Sequence, residues 1–351
     1  MTSKKIQKIL IIKPSALGDI AQALGALASI RKSFPDAEIS WLARKEFTPL
    51  LEMASDLDKI IIFDRKLLGK WFRNRKAFAE LIKFFKTLSS LHFDIVIDLQ
   101  GLFRTALFAW ITGCKKRFGL KGARECASIF YSHKVPQDKD CVHQIDVNNK
   151  IISAAGATEI TMEYELTIDE QTKLSTIQLL AENGYEDKKY AVLVTGAAHA
   201  NKCWPVEKFA ELADHLHSQF GFSIIAVGTN MEKQIVEKLK SLAKADVIDL
   251  TGQTNIKVLT ALMGKASIVV TNDTGPGHIA DAAGAPVVMI FGPTNPLRVA
   301  PYKKPQCVAA IDMFTRGAEI DSVDPNHAIE NVTVESVSQK VSDLLNNQPQ
   351  L

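Results

Sequence analysis

The feature that most constrains this chain is a repeated alternation. Short runs rich in β-branched residues are separated by longer stretches whose apolar positions recur with helical spacing. In the first half the runs are Ile9–Ile12, Ile39–Leu42, Ile60–Phe63 and Ile95–Ile97. In the second half they are Tyr190–Thr195, Ser223–Val227, Val247–Leu250, Ser267–Thr271 and Pro286–Phe291. Each run has the length and composition of a buried strand, and helices are predicted over 206–220, 230–244, 255–265 and 277–284. Strand and helix alternating in two blocks demands two parallel sheets, each covered by helices, so the fold class is α/β. At 351 residues the chain is also longer than one hydrophobic core usually serves. The expected domains are 1–165 and 185–330, joined by a polar stretch over 157–189. A final amphipathic helix over 333–346, within a tail of 331–351, is free to pack back on the first domain. The halves share architecture and not sequence.

Hydrophobic residues make up 46% and charged residues 23%, which excludes a disordered chain. With 42 basic and 39 acidic residues the net charge is only +3, too small to argue for nucleic acid by itself. Five scattered cysteines without a CxxC pair suggest neither a disulfide framework nor a zinc site, and fit a reducing, cytoplasmic setting. The apolar run after the N-terminus is strand-length, not a signal peptide, and no stretch reaches the roughly 18 apolar residues of a membrane span.

Ligands of open parallel sheets bind where strands end and helices begin. Two such ends carry chemistry. The first is KPSALGDI, residues 13–20, where Ser15, Gly18 and Asp19 form a polar turn before Ile20, Leu24, Leu27 and Ile30. Two readings of Asp19 stand side by side: a helix cap that accepts backbone N–H groups, and a general base at the mouth of an interdomain cleft. Gly18 would let a substrate approach the backbone. The turn lacks GxGxxG, which removes the main support for a dinucleotide-dependent dehydrogenase. The second end is TNDTGPGHIA, residues 271–280. A Gly/Pro loop opening a helix offers N–H groups to an anion, with Asp273, Thr274, Gly275 and His278 beside it. Gly196, Ala197 and Ala198 follow another strand, Lys202 comes shortly after, and Glu232 opens the helix that follows Ser223–Val227. An acid just past a strand can hold ribose hydroxyls, and a Glu in a first turn also favours the helix dipole.

Basic residues cluster in the first half. Residues 65–76 hold Arg65, Lys66, Lys70, Arg73, Arg75 and Lys76 around Trp71 and Phe72, without an acid. A second cluster holds Lys115, Lys116, Arg117, Lys121 and Arg124. They suit a solvated face, an anionic acceptor or an anionic membrane surface, and no nucleic-acid-binding module surrounds them. Asp56-Leu-Asp58 has a DxD form but precedes a strand without a glycine-rich setting or a nearby His, so it reads as a polar turn and no metal site is expected. No GxSxG elbow is present for hydrolysis.

Together these pieces resemble the lipopolysaccharide heptosyltransferases, sugar transferases with the two-domain GT-B fold, two Rossmann-like domains facing across a cleft. The resemblance rests on KILIIKPSALGDI, DIVIDLQGLFRTAL (94–107), RFGLKGARECASIFYSHKV (117–135), NKCWP (201–205), NDTGPGHIADAAGAP (272–286) and IFGPTNP (290–296). It implies an inverting, metal-independent transfer of heptose from ADP-heptose to the Kdo sugar of lipid A, at the cytoplasmic face of the inner membrane. By position, it makes Asp19 the catalytic base and Lys202 the contact to the donor phosphates. It makes Asp273, Thr274, Gly275 and His278 the donor loop, places Glu232 near the ribose, and turns the backbone of Gly196–Ala198 to the diphosphate. Arg124 and the 65–76 run, with Ser15 and Gly18, fall where the family grips its acceptor. The family often continues from its Asp as GDxxHxxP. Here Gln22 and Gly25 stand in those places, which bears on the acceptor more than on the reaction. A GT-B transferase with another nucleotide sugar or acceptor, and a non-catalytic nucleotide-sugar-binding protein, are the alternatives.

Overall fold

A computed structural model describes residues 6–65, 69, 72, 74–138, 141–186 and 188–347. The chain divides into two compact units, Met1–Thr167 and Ile168–Leu351. In chain order the first unit contains β1 (Lys8–Ile12), α1 (Leu17–Gln22), α2 (Leu24–Ser33), β2 (Glu38–Arg44), α3 (Thr48–Leu51), β3 (Lys59–Phe63) and α4 (Arg75–Ser90). It continues through β4 (Ile95–Asp98), α5 (Phe103–Ile111), β5 (Arg117–Leu120), β6 (His133–Val135) and α6 (Gln144–Ala154). The second begins with α7 (Glu170–Glu182), β7 (Tyr190–Val194), α8 (Val206–Phe220), β8 (Ser223–Val227), α9 (Lys233–Leu242), β9 (Val247–Asp249) and α10 (Ile256–Gly264). It ends with β10 (Ile268–Asn272), α11 (Gly275–Ala282), β11 (Val287–Ile290), α12 (Pro296–Val299), β12 (Val308–Ala309) and α13 (Val334–Asn346).

Both sheets are six-stranded, and every pairing in them is parallel. Their orders are β3-β2-β1-β4-β5-β6 and β12-β11-β10-β7-β8-β9. Counted within its own unit, each sheet runs 3-2-1-4-5-6, the doubly wound order. The two-block α/β reading is therefore right in class. The order reverses between β1 and β4 in one unit and between β7 and β10 in the other. The carboxyl ends of those four strands carry Lys13–Asp19, Asp98, Thr195–Lys202 and Asn272–His278.

Packing follows the apolar runs. Ile9, Leu10, Ile11 and Ile12 are fully buried, as are Ile224, Ile225 and Ala226 of β8. Burial on both faces is what central parallel strands require. Leu10, Ile12, Leu42, Phe63 and Val96 meet Leu88 of α4 and Phe108 of α5 in one core of the first unit. The second unit's core takes Leu193, Phe209, Leu216, Val236, Val270 and Ile290 together with Val334, Val337 and Val341 of the last helix. That helix, left free by the sequence to return to the first domain, is thus part of the second unit's core.

Three other expectations change. The 157–189 stretch is not only a connection, because it contains α7. Asp169 caps that helix by accepting the Thr172 N–H at 2.7 Å, and its buried stripe is only Thr172, Thr176 and Leu180. Strands β5 and β6 are added to the first sheet and β12 to the second. Asp19 does not precede the helix; it is the third residue of α1. The Asp56–Asp58 turn is structural as read. Asp58 accepts from the Arg31 guanidinium at 2.5 Å and from the Ile39 N–H at 2.7 Å. No helix among the described residues is long and apolar enough to cross a membrane.

The segment after α6 is tied along α2. Ser33 Oγ accepts the N–H groups of Thr158 and Glu159, and Ser29 Oγ accepts that of Thr161. Gly25, where the resembled family often has Pro, lies under this segment, and a Cβ there would meet Met162 Sδ at 2.5 Å.

Gly277 fixes how closely α11 lies on its sheet. A Cβ at this position would come within 2.8 Å of Thr271 Cγ2 and 2.9 Å of Met289 Cε, both fully buried residues. Overpacking of a closed site costs about 1–3 kcal/mol, more than the ~0.5–1 kcal/mol that Ala gains over Gly in a helix. Gly277→Ala is therefore expected to lower the midpoint of urea unfolding. An unchanged or raised midpoint would show that α11 can lift without cost.

Candidate functional site

In the first unit, β1 delivers Lys13 at its carboxyl end, and the ammonium is almost wholly buried. It donates to the Leu99 carbonyl at 3.2 Å and faces Asp19 Oδ2 at 4.0 Å. Burial pushes the Lys13 pKa below the ordinary lysine range. The Asp19 and Asp98 charges oppose this, and the nearby Arg124 charge adds to it. The Asp19 carboxylate also accepts the Ala16 N–H at 3.0 Å, a reach back from the third helical position. The capping reading of Asp19 thus finds its hydrogen bond. The residue holds the helix start, yet its side chain keeps 39% of its surface in solvent.

Beside this lies a network absent from the sequence reading. Asp98, at the end of β4, is buried. Its Oδ1 accepts the N–H groups of Gln100 and Gly101, and its Oδ2 accepts the hydroxyls of Thr105 and Tyr131 at 2.8 and 2.7 Å. Burial raises the Asp98 pKa against those four bonds, and burial beside the carboxylate raises that of Tyr131. A carboxylate closing the apolar run Ile95–Ile97 is the signal that could have found it. Ser15 is half-buried, Gly18 buried, and Arg65 and Arg124 exposed. Lys66, Lys70 and Arg73 lie outside the described residues.

In the second unit the hub is Asn272, the fully buried last residue of β10. Its Nδ2 donates to the carbonyls of Thr195 at 2.8 Å and Gly196 at 3.4 Å, and its Oδ1 accepts the Trp204 N–H at 3.0 Å. One amide thereby ties the end of β10 to the loop leaving β7. Trp204 anchors that loop further, donating its indole N–H to the Val332 carbonyl at 2.9 Å and packing edge-on against Phe209. The anchored loop presents Lys202, whose Nζ lies 2.7 Å from Asp273 Oδ2, the lysine 25% and the aspartate 8% exposed. His278 Nε2 stands 4.0 Å from the other Asp273 oxygen.

Asp273, Thr274, Gly275 and His278, expected from the sequence to form one loop, come together at this end of the sheet. The helix start differs from the expectation in one respect: Gly275-Pro276-Gly277 is itself the first turn. Pro276 has no N–H and Gly277 donates to Thr274 O, so fewer amides point outward. Glu232 folds back so that Oε2 accepts the Thr229 N–H at 2.7 Å and the Thr229 hydroxyl at 2.5 Å. Gly196 lies against it, for a Cβ there would sit 2.2 Å from Glu232 Cγ. Gly196 is buried, Ala197 half-buried and Ala198 exposed.

The FGPT segment is held by Arg316, another residue the sequence did not single out. Its buried guanidinium donates to the carbonyls of Gly292 at 2.6 Å, Thr294 at 3.0 Å and Ile311 at 2.6 Å. Burial lowers its pKa. Among the described residues, no group of three or more His, Cys, Asp or Glu side chains is placed to hold a metal ion.

Comparison with known proteins gives the chain a family and a fold. The model of glycosyltransferase family 9 (heptosyltransferase) matches residues 81–327. The lipopolysaccharide core heptosyltransferase OpsX of Haemophilus influenzae is 27% identical over 311 residues, covering 87% of this chain and 84% of that protein. Lipopolysaccharide heptosyltransferase 1 of Escherichia coli K12 is 25% identical, covering 96% of this chain and all of that one. Among solved structures, a family 9 glycosyl transferase from Veillonella parvula has a TM-score of 0.83 at 21% identity, covering 99% of each chain. E. coli heptosyltransferase WaaC with ADP has a TM-score of 0.76 at 22% identity, covering 96% of this chain and all of that one. These share the fold, so the GT-B class read from the sequence holds. With a match that runs from α4 to the FGPT segment and beyond, the chain belongs to glycosyltransferase family 9, the heptosyltransferases.

Proposed function

We propose that this heptosyltransferase moves L-glycero-D-manno-heptose from ADP-heptose to the Kdo-lipid A inner core of lipopolysaccharide, with inversion and without a metal. The reading places the protein peripherally on the cytoplasmic face of the inner membrane. One observation carries it: each unit sets a lysine against an aspartate at its switch point, and the two pairs are turned opposite ways. In the first unit the lysine is buried and the carboxylate keeps 39% of its surface in solvent; in the second the carboxylate is buried and the lysine keeps 25%. The first arrangement offers an anion to a substrate and the second a cation. The names of relatives supply the chemistry: lipopolysaccharide heptosyltransferases among the sequences, and WaaC solved with ADP and with ADP-2-deoxy-2-fluoro heptose.

In the proposed step the acceptor oxygen bonds to the anomeric carbon as the bond from that carbon to the ADP oxygen breaks. The acceptor proton passes to Asp19, which must therefore stand on the face opposite the leaving group. Lys13, held by the Leu99 carbonyl, stands behind the base, 4.0 Å from its carboxylate. ADP leaves with its charge met by Lys202 and the start of α11, with Thr274, Gly275 and the backbone of Gly196–Ala198 around the diphosphate. Asp273 aims Lys202, His278 backs Asp273, and Glu232 accepts from the ribose hydroxyls. Ser15, Gly18, Arg65, Lys66, Lys70, Arg73 and Arg124 are assigned to the anionic acceptor. Both units must serve one transfer, so removing either lysine–aspartate pair should stop it.

The deciding experiment is mass spectrometry of purified Kdo-lipid A after incubation with the protein and ADP-heptose, with the addition of one heptose expected and an unaltered acceptor fatal to the reading. Asp19→Asn should lower turnover by about 10²-fold or more while ADP affinity by calorimetry is kept. Near-normal turnover would remove Asp19 from its role. Lys202→Ala should weaken ADP binding by about 10–100-fold, the scale of a lost charge-assisted contact, and an unchanged affinity would sink that assignment. Turnover should survive EDTA. A loss restored by Mg²⁺ would overturn the metal-free mechanism.

A further inference from the structure

Helix α5 is apolar nearly all round, yet it lies at the surface. Thr105, Ala106, Phe108 and Ala109 face inward and are buried. Phe103, Leu107 and Trp110 recur at spacings of four and three, so they share one outward stripe. Phe103 is 43% exposed and Trp110 55%. A second element widens this stripe. The single turn Ala127–Phe130 packs on α5 and sets the Phe130 ring 5.2 Å from that of Phe103 and 6.2 Å from that of Trp110. Ile129 of the same turn is 64% exposed. Two separate segments thus build one outward aromatic and aliphatic face. A contiguous exposed patch of this kind marks an interaction site, unlike an isolated exposed Leu.

Charge identifies the partner. Residues 101–135, which supply the whole face, hold seven Lys and Arg against a single acid, Glu125. Glu125 is already engaged, since its Oε2 accepts the Phe103 N–H at 3.2 Å at the start of α5. Lys115 and Lys116 are exposed just beyond the end of the helix. Trp and Phe flanked by long cationic side chains is the composition that settles at the headgroup level of an anionic bilayer, rings in the acyl boundary and ammonium groups on phosphates. A second copy docking face to face would instead bring the two basic rims together, which repels.

We infer that the Phe103–Trp110–Ile129 face is a docking surface for an anionic lipid bilayer. The inference deepens the peripheral-membrane part of the proposed function, and its test reads vesicle binding and not turnover, so the two can fail separately. The full chain is floated with vesicles of phosphatidylcholine alone and of phosphatidylcholine with phosphatidylglycerol. Binding is expected only with the anionic lipid and is expected to fall as salt rises. The triple variant F103S/W110S/I129S, with changes only at exposed positions, should lower partitioning about ten-fold or more while ADP affinity stays as in the parent chain. Lys115→Gln with Lys116→Gln should weaken binding to the anionic vesicles while leaving the aromatic face intact. In a Trp71→Phe background, Trp110 emission should shift to the blue on binding, because Trp41 and Trp204 are already buried. Wild-type binding by the triple variant, or no vesicle binding by the parent, overturns the inference. So does self-association of the parent in the absence of lipid that the triple variant abolishes, which would make the face an interface between copies.

Discussion

Everything chemical in this protein depends on one property of parallel sheets: all strands in a sheet point the same way, so their carboxyl ends share one edge. Where the strand order reverses, neighbouring connections leave in opposite directions and open a crevice at that edge. Here the reversal falls beside β1 in one unit and beside β7 in the other. Polar residues at the four strand ends concerned do the joining. Asp98 gathers two N–H groups and two hydroxyls at the end of β4, and Asn272 ties the end of β10 to the loop after β7. A charged or amide group buried at such a point is tolerated only because its bonds are satisfied. Once satisfied, Asn272 fixes the loop that carries Lys202, and Asp98 holds the turn after β4, next to the Leu99 carbonyl that receives Lys13.

Much of this was legible because burial on both faces writes central strands as unbroken apolar runs. Ile9–Ile12, Tyr190–Thr195 and Ser223–Val227 needed no partner to be read. The strands that escaped are edge or near-edge pieces of two to four residues. Arg117–Leu120 and His133–Val135 carry basic or aromatic residues that mask any pattern, and Val308–Ala309 is too short to have one. Helix α7 escaped because its buried stripe is mostly threonine, with Leu174 and Ile177 left exposed, so periodicity points nowhere. Its true signal is the cap, Asp169.

The candidate site was legible in part for a different reason. Lys202, Asp273 and His278 could be gathered from glycine-rich turns at strand ends, where backbone chemistry constrains residue type. Asn272, Asp98, Lys13 and Arg316 could not be given roles, because each acts through long-range bonds that only topology creates. Asn272 meets Trp204 across 68 positions of sequence, and Arg316 meets Gly292 across 24. The outward stripe of α5 was likewise hidden, since a helix apolar all round reads as a core helix until exposure is known.

The two lysine–aspartate pairs show how the same two residue types can present different groups at a switch point. A lysine and an aspartate facing each other contribute little net charge, so what a ligand meets is set by which partner is exposed. Lys13 is enclosed and bonded to a carbonyl, which leaves Asp19 as the group that water and a hydroxyl can reach. Asp273 is enclosed between Lys202 and His278, which leaves the ammonium as the reachable group. Exchange of burial between the partners, with no change in residue types, changes whether a carboxylate or an ammonium is the more accessible group. Dielectric sharpens the contrast, since the enclosed member acts through protein while the exposed one meets the ligand.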